Sequence, residues 1–79
     1  MKLTYDPRYS VAYICLKEKT AEVETIHIND ELNLDLAPNG TVYGIELLNA
    51  NEQLAAVLDG KLVLVNEELG KATEIEFPR

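Results

Sequence analysis

The sequence predicts an α+β domain: an antiparallel β-meander with one short helix packed on the sheet and a C-terminal β-hairpin. Leucines alternate with other residues over Leu32–Leu36, an Asn39-Gly40 pair follows, and a second apolar segment covers Val42–Leu48. Alternation with a period of two places the leucines on one face of a strand. The Asn-Gly pair supplies the positive φ angles that a tight turn needs. Together these observations predict a β-hairpin.

Three further strands are predicted before this hairpin. The first covers residues 2–5 and ends at Asp6-Pro7, where proline favours a turn. The continuous apolar run over residues 11–16 is typical of a central strand that is covered on both faces. The third strand, residues 21–28, is rich in β-branched residues and ends at residues 29–31.

A short helix is predicted after the hairpin. Asn49 and Glu52 have the spacing of a capping box, in which the asparagine accepts hydrogen bonds from exposed helix amides and the glutamate reaches back. Gly60 is placed to end the helix. An apolar stripe at helical spacing can cover a face of the sheet, and it consists of Leu54, Val57 and Leu58.

The C-terminal segment predicts a second hairpin. Residues 62–65 and 73–77 form its strands, and Gly70 takes the left-handed position in the turn. A run as short as residues 62–65 is also compatible with a helix. No linker, repeat or low-complexity segment divides the chain, so residues 1–79 are predicted to form a single domain.

Length and composition limit the class of protein. A domain of 79 residues buries only about 60% of the surface of its unfolded chain, so its core is small and pairing with another chain is a common source of stability. The single cysteine excludes an internal disulfide. The N-terminus lacks a signal-peptide pattern, and no apolar run reaches the length of a membrane span. We therefore expect a soluble cytoplasmic protein.

The charge is distributed unevenly. The net charge is −7, yet residues 1–20 carry more basic than acidic groups. Residues 21–60 carry acidic side chains and no Lys or Arg. Such a surface repels a phosphate backbone, which argues against direct nucleic-acid binding, and attracts a basic protein partner. The alternative interpretation is a solvated face that keeps a small domain soluble.

Seven residues are candidates for binding a protein partner. Tyrosines recur every fourth position, and an exposed tyrosine supplies a large contact area at low entropic cost. The alternative is that these rings cap a thin core. The acidic candidates come from the segment without basic residues. The full set is Tyr5, Tyr9, Tyr13, Glu22, Glu24, Asp30 and Glu31.

No catalytic, cofactor-binding or metal-binding residues are predicted. His27 is the only histidine and is expected to be a half-buried strand residue with one hydrogen bond. Cys15 lies between Ile14 and Leu16, where an apolar setting gives an inert, packed thiol. Asp6 is expected to accept hydrogen bonds from backbone amides in its turn.

One carboxylate pair is a weaker candidate. Asp35 and Glu46 could face each other across the first predicted hairpin, where they would repel each other or bind a cation. A small-ligand site would need a pocket that combines this pair with Tyr13 or His27. Because too few reactive groups are present, a small-ligand site is not the leading interpretation.

Three segments together resemble a known family: Tyr5-Asp6-Pro7, Ala12-Tyr13-Ile14 followed by Leu16, and Gly44 to Ala50. They resemble the domain-of-unknown-function 2283 family of small prokaryotic proteins, over about residues 1–54. The chain departs from the family pattern in two places. Ala37-Pro38-Asn39-Gly40 replaces an acidic turn, and a common glycine before Leu32 is missing. The resemblance implies a small α+β domain, some of whose relatives are encoded beside toxin-like proteins, and it implies no activity.

Charge, size and resemblance lead to one leading hypothesis and two alternatives. The leading hypothesis is a non-enzymatic, antitoxin-like regulatory module that binds a basic protein partner through its acidic surface. The first alternative is a structural domain that associates with another copy of itself as a homodimer. The second is a protein that binds a small ligand or a metal. No cofactor and no membrane partner are expected.

Overall fold

The computed structural model describes residues 1–19, 22–57 and 61–76. It contains a five-stranded antiparallel sheet, one short helix and a separate two-stranded antiparallel hairpin, which confirms the predicted fold class. The elements are β1 (Lys2–Asp6), β2 (Val11–Cys15), β3 (Glu24–Asn29), β4 (Leu32–Leu36), β5 (Val42–Leu48), α1 (Ala50–Val57), β6 (Lys61–Asn66) and β7 (Lys71–Glu76).

The strand order in the larger sheet is β1-β2-β5-β4-β3. The hairpin β1–β2 therefore joins a meander of β3, β4 and β5 through the antiparallel pair β2–β5. Strands β1 and β3 form the two edges. Strand β2 lies inside the sheet, as predicted, but only its Ala12 is buried, because its side chains point alternately to the two faces of one layer.

The turn between β4 and β5 differs from the prediction. Gly40 has a φ of 88°, whereas Asn39 is not among the residues with positive φ. The Ala37 amide donates to the Thr41 carbonyl at 2.8 Å, and the Gly40 amide donates to the Ala37 carbonyl at 2.9 Å. This is a three-residue loop with one left-handed glycine rather than a two-residue Asn-Gly turn.

Two hairpin loops of four residues share a left-handed residue at their last position. That residue is Ser10, with φ 56°, between β1 and β2, and Gly70, with φ 65°, between β6 and β7. The left-handed position predicted for Gly70 is thus confirmed. Asp6 accepts a hydrogen bond from the Arg8 amide at 3.0 Å, as expected of an aspartate that begins a turn.

The capping box predicted at the start of α1 does not form in the predicted way. Asn49 has a φ of 53°, and its side-chain amide donates to the Glu52 carboxylate at 2.8 Å instead of accepting from the helix. The cap comes from the β1–β2 loop. The Asn51 amide donates to Ser10 Oγ at 2.9 Å, and the Ala50 amide donates to the Ser10 carbonyl at 2.8 Å. Ser10, which is distant in the sequence, therefore accepts hydrogen bonds from the exposed amides of Ala50 and Asn51.

The buried core of the described residues is small. It contains the apolar residues Ala12, Ala37, Tyr43 and Ala50 together with the polar residue Asp35, and no large side chain in it is fully buried. Leu58, Gly60 and Phe77, and the side chains of Val57 and Leu62, lie outside what the structure describes. Within the described part, no helix has the length and apolarity needed to cross a membrane.

Candidate functional site

The pairing of residues between the five strands shows that the two faces of the sheet differ in chemistry. On the polar face, one cross-strand row contains Thr4, Tyr13, Glu46, Asn33 and His27, and the next contains Lys2, Cys15, Gly44, Asp35 and Thr25. On the apolar face, one row contains Leu3, Ile14, Ile45, Leu34 and Ile26. We call this last set the apolar row.

Asp35 is the centre of the polar face. It is buried, with 8% of its surface exposed. Its Oδ2 accepts a hydrogen bond from the Tyr13 hydroxyl at 2.8 Å and lies 2.9 Å from Lys19 Nζ, while Oδ1 accepts from the Thr25 hydroxyl at 2.7 Å. Both oxygens of this buried carboxylate are therefore satisfied by side chains from three separate segments.

Gly44 allows the Tyr13 ring to reach Asp35. Gly44 lies directly opposite Asp35 on β4 and opposite Cys15 on β2. A Cβ atom at Gly44 would overlap the hydroxyl and the ring of Tyr13, so the tyrosine lies across the bare glycine backbone. The pair thus explains why a glycine occupies the middle of an inner strand, where it otherwise weakens a sheet.

The contacts around Asp35 shift the pKa values of three groups: Asp35, Tyr13 and Lys19. Burial, followed by the hydrogen bond to Asp35, raises the pKa of Tyr13. The hydrogen bond to Asp35 also raises the pKa of Lys19. Burial alone would raise the pKa of Asp35, but the hydrogen bonds from Lys19, Thr25 and Tyr13 outweigh it and lower that pKa. All three shifts favour the charge states present at neutral pH.

A second set of contacts joins His27, Asn33 and Glu46. Asn33 donates to Glu46 Oε1 at 2.9 Å, and Asn33 Oδ1 lies 2.9 Å from His27 Nδ1. Glu46 therefore pairs with Asn33, and Asp35 lies opposite Gly44, so the predicted Asp35–Glu46 carboxylate pair does not form. The two carboxylates share a face but have different partners.

Two predicted environments are wrong. His27 is exposed rather than half-buried, with 63% of its side-chain surface accessible, because β3 is an edge strand. Cys15 belongs to the polar face instead of the core, is half-buried, and its thiol lies 3.5 Å from the Lys17 carbonyl. Among the described residues, no group of three His, Cys, Asp or Glu side chains is arranged to hold a metal ion.

The three candidate tyrosines do not form one surface. The antiparallel register pairs Tyr5 with Ala12, which places Tyr5 and Tyr13 on opposite faces of the sheet. The Tyr5 hydroxyl donates to Asn51 of α1 at 2.6 Å. Tyr9 lies in the β1–β2 loop, is 73% exposed, and has the Arg8 guanidinium 5.4 Å from its ring centroid. Of the three, only Tyr9 is exposed.

The four candidate acidic residues lie along one edge of the sheet, two at each end of β3. All are exposed, and all belong to the edge strand β3 or to the segments that flank it. We call this set the acidic edge: Glu22, Glu24, Asp30 and Glu31. Within the described part of the chain, no lysine or arginine forms an ion pair with these residues, and Asp30 lies 3.8 Å from His27 Nε2.

Sequence reasoning missed Lys19, Thr25, Gly44 and Ser10. Thr25 and Gly44 share the face of Asp35 only because β3 and β5 flank β4. The sequence pattern of one strand contains no information on its neighbours. A glycine inside a strand was the one available signal, since it often marks a place where another group approaches closely.

Comparison with known proteins identifies a family but no specific function. No curated protein and no solved structure matches this chain. A protein-family model described as a protein of unknown function (DUF2283) matches residues 2–51, which include the whole five-stranded sheet. This match confirms the resemblance drawn from the three sequence segments. Because it covers more than half of the 79 residues, the chain belongs to the DUF2283 family.

Proposed function

We propose that this domain is a non-enzymatic protein-binding module whose acidic edge binds a basic protein partner and thereby regulates it. The observation that carries the proposal is the position of Glu22, Glu24, Asp30 and Glu31 along one edge of the sheet. Among the described residues, Arg8 pairs with Asp6, Lys19 with Asp35 and Lys61 with Glu74, whereas no lysine or arginine forms an ion pair with the acidic edge.

Backbone geometry supports binding at the same edge. All six residues of β3 are exposed, and β3 pairs with a single neighbour, β4. A free strand edge offers amide and carbonyl groups to an extended segment of a partner. Lysine or arginine side chains on such a segment would meet the acidic edge, which would raise the rate of association at low ionic strength.

A shallow depression adds a place for one basic side chain. It lies at the β3–β4 turn, has a volume of about 400 Å³, and is lined by Asn29, Asp30, Glu31, Leu32 and Gln53. The Gln53 amide donates to the carbonyls of Glu31 and Leu48, which fixes α1 beside this turn. The depression therefore combines one apolar side chain and two amide side chains with two carboxylates.

Affinity capture from the native cell extract at low and high salt tests this proposal. The edge variant carries Glu22→Gln, Glu24→Gln, Asp30→Asn and Glu31→Gln. The control variant carries Glu18→Gln, Glu67→Gln, Glu68→Gln and Glu76→Gln, which changes the net charge equally at other exposed positions. We expect wild type and control to retain a basic protein that salt releases and the edge variant to lose it. Equal recovery on all three proteins would refute the proposal.

A further inference from the structure

We propose that the basic partner joins the sheet as a sixth strand beside β3, through a segment that is apolar in its middle and basic at both ends. The inference rests on the proposed function and specifies the chemistry of the partner. All six residues of β3 are exposed, and within the described part of the chain β3 pairs only with β4. Half of its backbone amide and carbonyl groups therefore point outward, where another strand can bind them.

The sequence of β3 does not protect this edge. Lysine and proline commonly block an exposed edge strand, and β3 contains neither. The consecutive residues Glu24 to His27 pair with β4 in regular register, and the bulge comes after His27. A partner strand therefore finds at least four residues of regular backbone.

The opposite edge of the sheet is different. On β1, Tyr5 and Asp6 are half-buried, and the Tyr5 hydroxyl donates to Asn51 of α1 at 2.6 Å. Lys2, at the other end of β1, would repel a basic segment. Of the two edges, β3 is therefore the one that suits a basic strand.

Carboxylates flank both ends of β3. Glu22 and Glu24 lie at its start, and Asp30 and Glu31 follow its end. Each residue of a strand advances by about 3.4 Å, so the two acidic pairs are about 20 Å apart. A partner strand meets both pairs when its basic residues are about six positions apart.

The middle of β3 determines which side chains the partner presents. Ile26 is an outer member of the apolar row and is 38% exposed, whereas Thr25 and His27 lie on the polar face. The side chains of an added strand alternate between the same two faces. The partner residue beside Ile26 is therefore apolar and extends the apolar row, and its two neighbours are polar.

Charge favours a foreign strand over a second copy of this chain. Pairing of β3 with β3 of another copy would bring two acidic edges together, and like charges repel. Strand β1 of another copy carries Lys2 but also the carboxylate of Asp6, which pairs with Arg8. A basic segment of another protein matches both ends of the edge.

Fluorescence anisotropy with a labelled synthetic peptide tests the inference. The parent peptide has two lysines, the central sequence Val-Thr-Val-Thr-Val and two further lysines. Only alternate amides of an added strand face the edge that it joins. Two derivatives therefore carry N-methyl groups either on the valines or on the threonines, which removes amide donors and keeps the charge. A third peptide has the same composition but places all its lysines at one end.

We expect the parent peptide to bind at low salt, one methylated derivative to lose about tenfold or more in affinity, and the other to remain within about threefold of the parent. The peptide with clustered lysines should bind about fivefold more weakly, because it reaches only one acidic pair. Equal effects of the two methylated derivatives would overturn the inference. So would a parent peptide that does not bind at millimolar concentration.

The edge variant separates failure of this inference from failure of the proposed function. If the two methylated derivatives bind alike and the edge variant loses the parent peptide, the acidic edge binds basic segments without strand addition. If only one derivative fails and the edge variant binds the parent peptide as tightly as wild type, strand addition stands and the proposed role of the acidic charge fails.

Discussion

The two faces of the five-stranded sheet differ in how their side chains are stabilised. On the polar face, Asp35 is 8% exposed and accepts contacts from three partners of the same chain. On the apolar face, Leu3 and Ile26 remain 37% and 38% exposed. Hydrogen bonds are directional and can be completed within one layer, whereas apolar side chains leave water only beneath a second layer. Among the described residues, the buried carboxylate of the polar face is thus satisfied within the chain, whereas the outer members of the apolar row stay partly exposed.

This difference predicts two kinds of mutational response. Substitutions on the polar face should change the stability of the chain itself. Substitutions on the apolar row should destabilise the chain in proportion to the apolar surface that each side chain buries.

The largest effect is expected from Asp35→Ala. The substitution removes the acceptor of two hydroxyl groups and the counter-ion of Lys19, and it leaves partly buried donors without a partner. We expect a loss of about 3 kcal/mol in the free energy of unfolding, measured with urea. Glu46→Ala is the matched control on the same face and should cost about 1 kcal/mol, since Glu46 accepts one amide hydrogen bond from Asn33. Equal costs would show that Asp35 is not the centre of the face.

Gly44→Ala should cost about 2 kcal/mol, because the new methyl group would displace the Tyr13 ring from its path to Asp35. A double-mutant cycle in urea isolates this cause. In a Tyr13→Ala background the same substitution should be neutral or stabilising, since alanine is favoured over glycine in a strand. If Gly44→Ala costs the same in both backgrounds, the close approach of the tyrosine is not the reason for the glycine.

Ser10→Ala tests the partial cover that α1 gives to the apolar face. It removes the cap on the Asn51 amide and keeps a side chain at a φ of 56°, so we expect a loss of about 1 kcal/mol in thermal or urea unfolding. Ser10→Gly removes the same cap but relieves the left-handed strain, and should cost less. An alanine variant as stable as wild type would mean that Ser10 does not anchor the helix.

The smallest effect on stability is expected from lowering the pH. The folded state lowers the pKa of Asp35, so this group stabilises the fold above its ordinary pKa of 3.8 and loses that contribution as pH falls through the lowered value. Urea unfolding at a series of acidic pH values should therefore show a weaker dependence on pH for Asp35→Asn than for wild type. Glu46→Gln serves as the control, and an unchanged profile for Asp35→Asn would contradict the assigned direction of the shift.

Local features of the fold were predictable, because their causes lie within a few residues. The alternation of leucines in β4 indicates a strand, and Gly70 indicates a turn. Asp6 binds an amide two positions away. In each case the residue and its partner belong to one short segment, so pattern and turn chemistry are sufficient.

Long-range features were not predictable, because they depend on the strand order. The cap of α1 comes from Ser10, 41 positions before the amide that it accepts from. The partners of Asp35 lie on β2, on β3 and before β3, and nothing in the pattern of β4 specifies those neighbours. The four acidic residues were chosen together because the sequence shows a segment without basic residues, but their position along the edge strand β3 depends on the strand order. Likewise, the strand register places Tyr5 and Tyr13 on opposite faces, which the sequence alone does not show.

A double-mutant cycle of Tyr13→Phe and Asp35→Ala in urea tests most directly whether the polar face is held together within one chain. Because the Tyr13 hydroxyl donates to Asp35 at 2.8 Å, we expect the double variant to lose less free energy of unfolding than the sum of the two single losses. Strictly additive losses would contradict the account, since the two side chains would then stabilise the fold independently.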